Sequence, residues 1–173
     1  MAIGIGANLP SKVGGPAEAV RAAIDDLATS GRVTAISSLY RTEPVGMANQ
    51  PMFVNAAAVV ETDLDPVGLL EFLLATERSY GRDREHDVAK GPRVLDLDLL
   101  LFDERVIRTD RLTVPHPALA ERRFVLAPLA EIAPGWRHPV LGKTMAELLA
   151  ELPAKGVNGP EAVRKIIEGQ PVQ

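Results

Sequence analysis

The sequence predicts a single α+β domain of the ferredoxin-like sandwich type, an antiparallel sheet with helices packed on it. Three observations carry that expectation. Stretches with strand character (2–8, 32–42, 52–64, 91–103) and stretches with helical spacing (16–31, 65–81) follow one another as β, α, β, β, α, β. At 173 residues the chain is long enough for one sizeable core and short for two. Hydrophobic residues make up 46% and charged residues 24%, the balance of a folded globular chain rather than a disordered one. A sheet with both long helices on one face would leave the other face for a ligand site built by loops.

Each element has its own reason. AIGIGAN (2–8) alternates small and β-branched residues before Asn8, Leu9 and Pro10, so a short strand runs into a loop. In 16–31, Pro16 stands near a helix start, Val20, Ala23, Ile24 and Leu27 share one face, and Gly31 is the stop. RVTAISSLYRT (32–42) alternates and reads as one strand, and EPVGMANQP (43–51) is a loop carrying two prolines and a glycine. MFVNAAAVVETDL (52–64) is a long strand whose expected partner is the preceding one. Asp65 is suited to cap, and Pro66 to begin, a helix that ends at Gly81. RDREHDVAKGPR (82–93) is a charged loop. After the strand of 91–103, residues 116–134 read as short helical turns broken by prolines, 143–153 as a short amphipathic helix and 161–169 as another.

Composition closes several routes. There is no cysteine, hence no disulfide, thiolate metal site or cysteine nucleophile, a usage compatible with the cytoplasm. Residues 1–15 lack the basic start and apolar stretch of a secretory signal, and no window nears the roughly 18 apolar residues of a membrane span. A net charge of −4 argues against a general nucleic-acid binder. No phosphate loop, zinc-protease helix motif or nucleophile elbow is present, and three scattered histidines make zinc chemistry improbable.

The chemistry-bearing feature is GPRVLDLDLLLFD (91–103). In a strand, residues two apart point to one face at roughly 6.5–7 Å between Cα atoms. Asp96, Asp98, Leu100 and Phe102 therefore share one face, and Leu95, Leu97 and Leu99 the other. Two carboxylates so spaced either meet water on a polar face or hold Mg²⁺, which favours one or two carboxylates together with substrate phosphates. Arg82, Arg84, Lys90 and Arg93 precede the pair, and Arg108, Arg111, His116, Arg122 and Arg123 follow it. Cations gathered around metal-binding carboxylates describe a polyphosphate site, while the plainer reading is a solvated basic loop balanced by Asp83, Glu85 and Asp87.

SSLYRTEPVG (37–46), QPMFVNAA (50–57), ERSYGRDR (77–84), GPRVLDLDLLLFD (91–103) and LTVPHPALAERRFVLAPLAEIAP (112–134) occur in an order and spacing that closely resemble the 6-hydroxymethyl-7,8-dihydropterin pyrophosphokinase family. The resemblance covers about 2–150 of a single domain spanning 1–173, with 151–173 as a C-terminal extension outside it. It implies transfer of pyrophosphate from ATP to the pterin hydroxymethyl oxygen, releasing AMP, in folate biosynthesis. Asp96 and Asp98 match a pair that holds two Mg²⁺ ions, and Arg82 and Arg93 match catalytic arginines. Leu70, Arg84, Lys90, Arg93, Arg111, Leu112, Thr113, His116 and Arg122 match ATP contacts.

For the pterin, the resemblance implies Thr42, Val45, Phe53, Asn55 and Phe124, the two phenylalanines stacking on the ring. Without it, plain core packing is the better reading of Phe53 and Phe124. Ala89 and Lys90 stand where relatives carry arginine and tryptophan, Glu43 replaces a common proline, and Ala7 a usual serine. The remaining expectations are a cytoplasmic monomer acting on ATP and a hydroxymethyldihydropterin, with no nucleic-acid or membrane partner. Two rivals stay open at the level of sequence: a metal-dependent phosphohydrolase, and a ferredoxin-like ligand- or RNA-binding module.

Overall fold

The computed structural model describes residues 1–45, 49–84, 86, 91–153 and 162–167. In chain order the elements are β1 (Ala2–Ala7), α1 (Pro16–Leu27), β2 (Arg32–Ile36), β3 (Tyr40–Thr42), β4 (Phe53–Glu61), α2 (Pro66–Ser79), β5 (Asp96–Leu101), β6 (Ile107–Arg108) and β7 (Thr113–Val114). A 3₁₀ turn (Leu119–Glu121), α3 (Arg123–Ile132), α4 (Met145–Glu151) and β8 (Val163–Lys165) complete it. The main sheet runs β5–β1–β4–β3–β8, with β2 beside β3 on the same flank of β4, and every pairing is antiparallel. The ferredoxin-like expectation is met. α2 starts as its sequence requires: Asp65 accepts from the Gly68 amide at 2.6 Å, Pro66 opens the helix, and Gly81 follows its end at φ +96°.

Four expectations change. The strand expected over 32–42 is two strands: Ile36 pairs with Ala58 and Tyr40 with Asn55, four residues against three, so the chain bulges out of regular pairing at 37–39. There the Ser37 hydroxyl takes over, accepting from the Ala57 amide at 2.9 Å. The broken turns expected over 116–134 contain one ten-residue helix that runs straight through Pro128. The proline forfeits the bond its N–H would make one turn back, at a cost of about 3 kcal/mol. Buried Val125, Leu126 and Leu129 outweigh that, contributing about 1.5–3 kcal/mol each.

The helix expected over 161–169 is the strand β8 within the described residues, because the free edge of the short β3 offers its backbone a partner. Finally, the second sheet face is not free of helices. A core of Ile3, Ile5, Val20, Leu27, Leu69, Leu73, Leu97 and Leu99 lies under α1 and α2 on one face. A second core of Ala57, Leu100, Leu101, Leu126, Leu129 and Met145 lies under α3 and α4 on the other.

β5 shows why strict alternation misleads. Ile3 pairs with Leu99 but Ala2 with Leu101, so a bulge at Leu100 resets the facing of the strand. Leu100 and Leu101 both enter the second core, and Phe102 joins the first instead of following the aspartates. The aspartates lie before the bulge and keep the expected facing. The β6–β7 hairpin, which two-residue strands left invisible to periodicity, packs beside β5 and leads into Pro115 and His116.

Candidate active site

Where α3 stops covering the sheet, a cleft of about 220 Å³ opens on the face carrying Asp96 and Asp98. Its floor is β1 and β4 (Gly4, Gly6, Asn55, Ala56), its walls are Thr42, Glu43, Val45 and Phe53 on one side and Arg122 and Phe124 on the other. Arg93, Asp96 and Asp98 close one end. Nine of the residues singled out in the sequence thus meet in one place: Thr42, Val45, Phe53, Asn55, Arg93, Asp96, Asp98, Arg122 and Phe124.

The two phenylalanines are half-buried and line the cleft rather than the core interior. Asn55, 8% exposed, donates from Nδ2 to Thr42 Oγ1 at 2.7 Å, which fixes its amide and leaves Oδ1 on the side of Gly6. A Cβ on Gly6 would sit 2.6 Å from that Oδ1, so glycine is needed for the approach. Arg93 lies 6.0 Å from the centre of the Phe53 ring and Arg122 5.6 Å from that of Phe124, so a cation accompanies each aromatic wall.

The aspartates behave differently. Asp96 accepts from Arg93 Nη1 at 2.7 Å and from Arg82 Nη1, a charge-assisted pair on each oxygen. Burial alone would raise its carboxyl, but Arg82 and Arg93 outweigh it and hold Asp96 below the usual carboxylate range. Among the described residues Asp98 has no hydrogen-bond or ion-pair partner. Burial first, then Asp96 and Glu77, push its carboxyl up to about 7. One carboxylate is saturated with cations and its neighbour is left wanting one.

Behind the pair stands Glu77, 1% exposed on α2, a residue outside the set that the sequence singles out. It accepts from Arg82 Nη1 at 2.8 Å, from Arg84 Nε and Nη2 at 2.7 Å each, and from the Leu97 amide at 2.8 Å. Both guanidiniums are therefore held toward β5, and Arg84 reaches within 3.8 Å of Asp96. A glutamate on the apolar side of an otherwise strong helix was the available signal. Asn8 was passed over as a turn residue. Its Oδ1 accepts from the Arg93 amide at 2.7 Å and its Nδ2 donates to the Pro51 carbonyl at 3.0 Å, tying the two loops that flank the cleft.

His116 does not line the cleft but lies near Arg122 and Asp96. Burial and then Arg122 lower its imidazole, with Asp96 opposing, so it is neutral at pH 7. Its Nδ1 accepts from the Ala118 amide at 3.2 Å, which puts the ring proton on Nε2. Leu70 and Leu112 pack with the first core, Thr113 lies on β7, and Arg111 pairs with Glu71. None of these four lines the cleft. Lys90, with Ala89, lies outside the described residues.

Residues 2–134 match the family model of 7,8-dihydro-6-hydroxymethylpterin-pyrophosphokinase. A 2-amino-4-hydroxy-6-hydroxymethyldihydropteridine pyrophosphokinase of Pseudomonas aeruginosa is 43% identical over 157 residues, covering 90% of this chain and 93% of that one. One from Methylorubrum extorquens is 43% identical over 155 residues, covering 88% and 96%. The fold is similar to that of wild-type HPPK-DHPS from Plasmodium falciparum, with TM-score 0.69 at 15% identity over 95% of this chain. This chain spans 46% of that longer one, a likeness that speaks for the fold alone. Match and coverage agree with the cleft: the chain belongs to the 7,8-dihydro-6-hydroxymethylpterin-pyrophosphokinase family, the ATP-dependent diphosphotransferases of folate synthesis.

Proposed function

We propose that the cleft transfers pyrophosphate from ATP to 6-hydroxymethyl-7,8-dihydropterin, and that Asp96 and Asp98 hold two Mg²⁺ ions there. The pterin hydroxymethyl oxygen bonds to the β-phosphorus and gives up its proton to solvent, the bond from that phosphorus to the α,β-bridging oxygen breaks, and AMP leaves. The observation that carries this reading is the Asp98 carboxyl, unpaired among the described residues, beside the arginine-held Asp96 and facing a cleft walled by two phenylalanines. Two hard oxygen donors on one strand face suit Mg²⁺. Bound there, Mg²⁺ would neutralise the triphosphate oxygens and the charge that develops on them.

The protein's own side chains do the rest by positioning, since phosphoryl-type transfer asks for little covalent help. Phe53 and Phe124 take the flat ring between them, and Asn55, fixed by Thr42, presents acceptor capacity to its edge. Val45 and the Thr42 backbone complete that half. Arg82, Arg84, Arg93 and Arg122 supply forked donors for phosphate oxygens, with Glu77 and Asp96 setting where the first three point. His116, neutral with a proton on Nε2, is a donor at the same end. We assign Leu70, Arg111, Leu112 and Thr113, which stand outside the cleft proper, to the nucleotide, and Lys90 with them.

We further take the chain to act as a monomer in the cytoplasm without nucleic-acid or membrane partners. The net charge of −4 disfavours a nucleic-acid partner, and among the described residues no helix is long and apolar enough to cross a membrane. The decisive experiment measures AMP formed from ATP. It is expected to require both the pterin and Mg²⁺ and to cease with chelator. ATP hydrolysis without the pterin would overturn the transferase reading. An Asp96→Ala protein with full activity would overturn the metal assignment.

A further inference from the structure

We propose that the C-terminal strand β8 is a positioning element of the pterin half-site, a brace that sets where Thr42, Glu43 and Val45 stand. It lies beyond residues 2–134, the part matched by the family model, and touches no proposed substrate. The inference rests on the pterin assignment made above.

The pterin wall hangs from β3, which is three residues long and followed at once by the cleft-lining Glu43 and Val45. A strand that short, at the edge of a sheet, has few bonds to hold it and frays easily. β8 makes it an interior strand. Thr42 pairs with Val163, Arg41 with Arg164 and Tyr40 with Lys165. The ladder extends past both ends: the Ile166 amide donates to the Leu39 carbonyl at 2.8 Å, and the Glu43 amide donates to the Ala162 carbonyl at 3.0 Å. The last bond falls on a residue that itself lines the cleft.

β8 is in turn held to the helical layer opposite. Lys165 Nζ donates to Glu131 Oε1 on α3 at 2.7 Å. Glu131 also accepts from the Tyr40 hydroxyl at 2.9 Å, and from the Ser38 hydroxyl and amide at 2.9 and 3.1 Å. Ala162 and Val163 are 6% and 8% exposed, and Ile166 packs against the first core. α3 is also the helix that carries Phe124. One glutamate therefore ties together β8, β3 and the helix bearing the second aromatic wall, so the spacing of the two walls depends on the tail.

The test uses the full-length chain with Ile166→Pro, which deletes the donor to Leu39, and Lys165→Gln, which keeps the strand but loosens its tie to Glu131. Amide exchange at Glu43 is measured together with KM for pterin and for ATP. Ile166→Pro is expected to speed Glu43 exchange at least tenfold and raise the pterin KM about fivefold or more, leaving the ATP KM within twofold. An unchanged Glu43 amide, an unchanged pterin KM, or equal rises in both KM values would overturn the brace. If Ile166→Pro does not fold, Lys165→Gln decides: the same selective rise at about two- to threefold supports the proposal, and none overturns it. A wild-type chain without pterin-dependent AMP formation defeats the functional reading instead. The brace is then judged on Glu43 exchange and on pterin binding by equilibrium dialysis.

Discussion

Asp96 and Asp98 are the same residue on the same strand face, and their surroundings give them opposite characters. Arg82 and Arg93 both reach Asp96, whereas Asp98 faces Asp96 and Glu77, and among the described residues no cation is bonded to its carboxyl. A site that repels itself until a substrate arrives is destabilising in the free protein. Asp98→Asn is therefore expected to stabilise the metal-free chain by about 1 kcal/mol, or about 2–4 °C in Tm, while turnover falls by orders of magnitude. Melting curves and AMP assays on one preparation check it, and a less stable variant counts against the repulsion. Glu77 should show the reverse. Glu77→Gln leaves Arg82 and Arg84 without their buried counter-charge, which is expected to cost about 3–5 kcal/mol in urea unfolding and to raise the ATP KM. The D-x-D pair and its arginines were legible in the sequence because spacing alone puts two such residues on one face. Glu77 was not, because a carboxylate inside a helix shows its role only when the loop beyond it folds back over that helix.

At the scale of elements, long periodic segments were legible and short ones were not. α2 announced itself by cap, proline and glycine, and the sandwich class followed from the order of helices and strands along the chain. The β6–β7 hairpin and β8 have two or three residues per strand, too few for any period to register, and β8 exists because β3 leaves an edge to fill. Pro128 misled in the other direction, since a helix bonded to a core on one side tolerates one missing amide. The tie between β8 and α3 also carries a pH signature. Burial raises Glu131, but Lys165, Tyr40 and Ser38 outweigh it and hold its carboxyl below the ordinary value of 4.5. A carboxyl lowered on folding contributes stability above its unfolded pKa and loses it as pH falls through the folded one. Exchange of the β8 and β3 amides is thus expected to speed up below about pH 4.5, ahead of global unfolding, and Glu131→Gln is expected to remove that dependence. Exchange that follows the same acid dependence in wild type and variant would assign the effect elsewhere.

The whole molecule is a sheet between two unequal cores, and each core serves one half of the cleft. Under α1 and α2, the first core seats the helix whose Glu77 directs Arg82 and Arg84, the end proposed for the phosphates. Under α3 and α4, the second seats the helix with Phe124 at its start and Arg122 just before it, the end proposed for the pterin. A chain of net charge −4 nonetheless gathers four arginines at one place, against Asp96, Asp98 and Glu77, so forked cationic donors stand where a polyanion would bind. Leu73 and Leu129 are both fully buried, one in each core, and either change to alanine is expected to cost about 2–5 kcal/mol. Equal losses of stability should have unequal kinetic consequences. Leu73 lies one turn before Glu77, so Leu73→Ala loosens the arginine scaffold and is expected to raise the ATP KM more than the pterin KM. Leu129 lies on α3 beyond Phe124, so Leu129→Ala is expected to do the opposite. Both KM values measured well below each variant's Tm decide the matter: a crossed pattern means that the sheet insulates the two substrate halves, whereas parallel changes mean that the cleft responds as one unit.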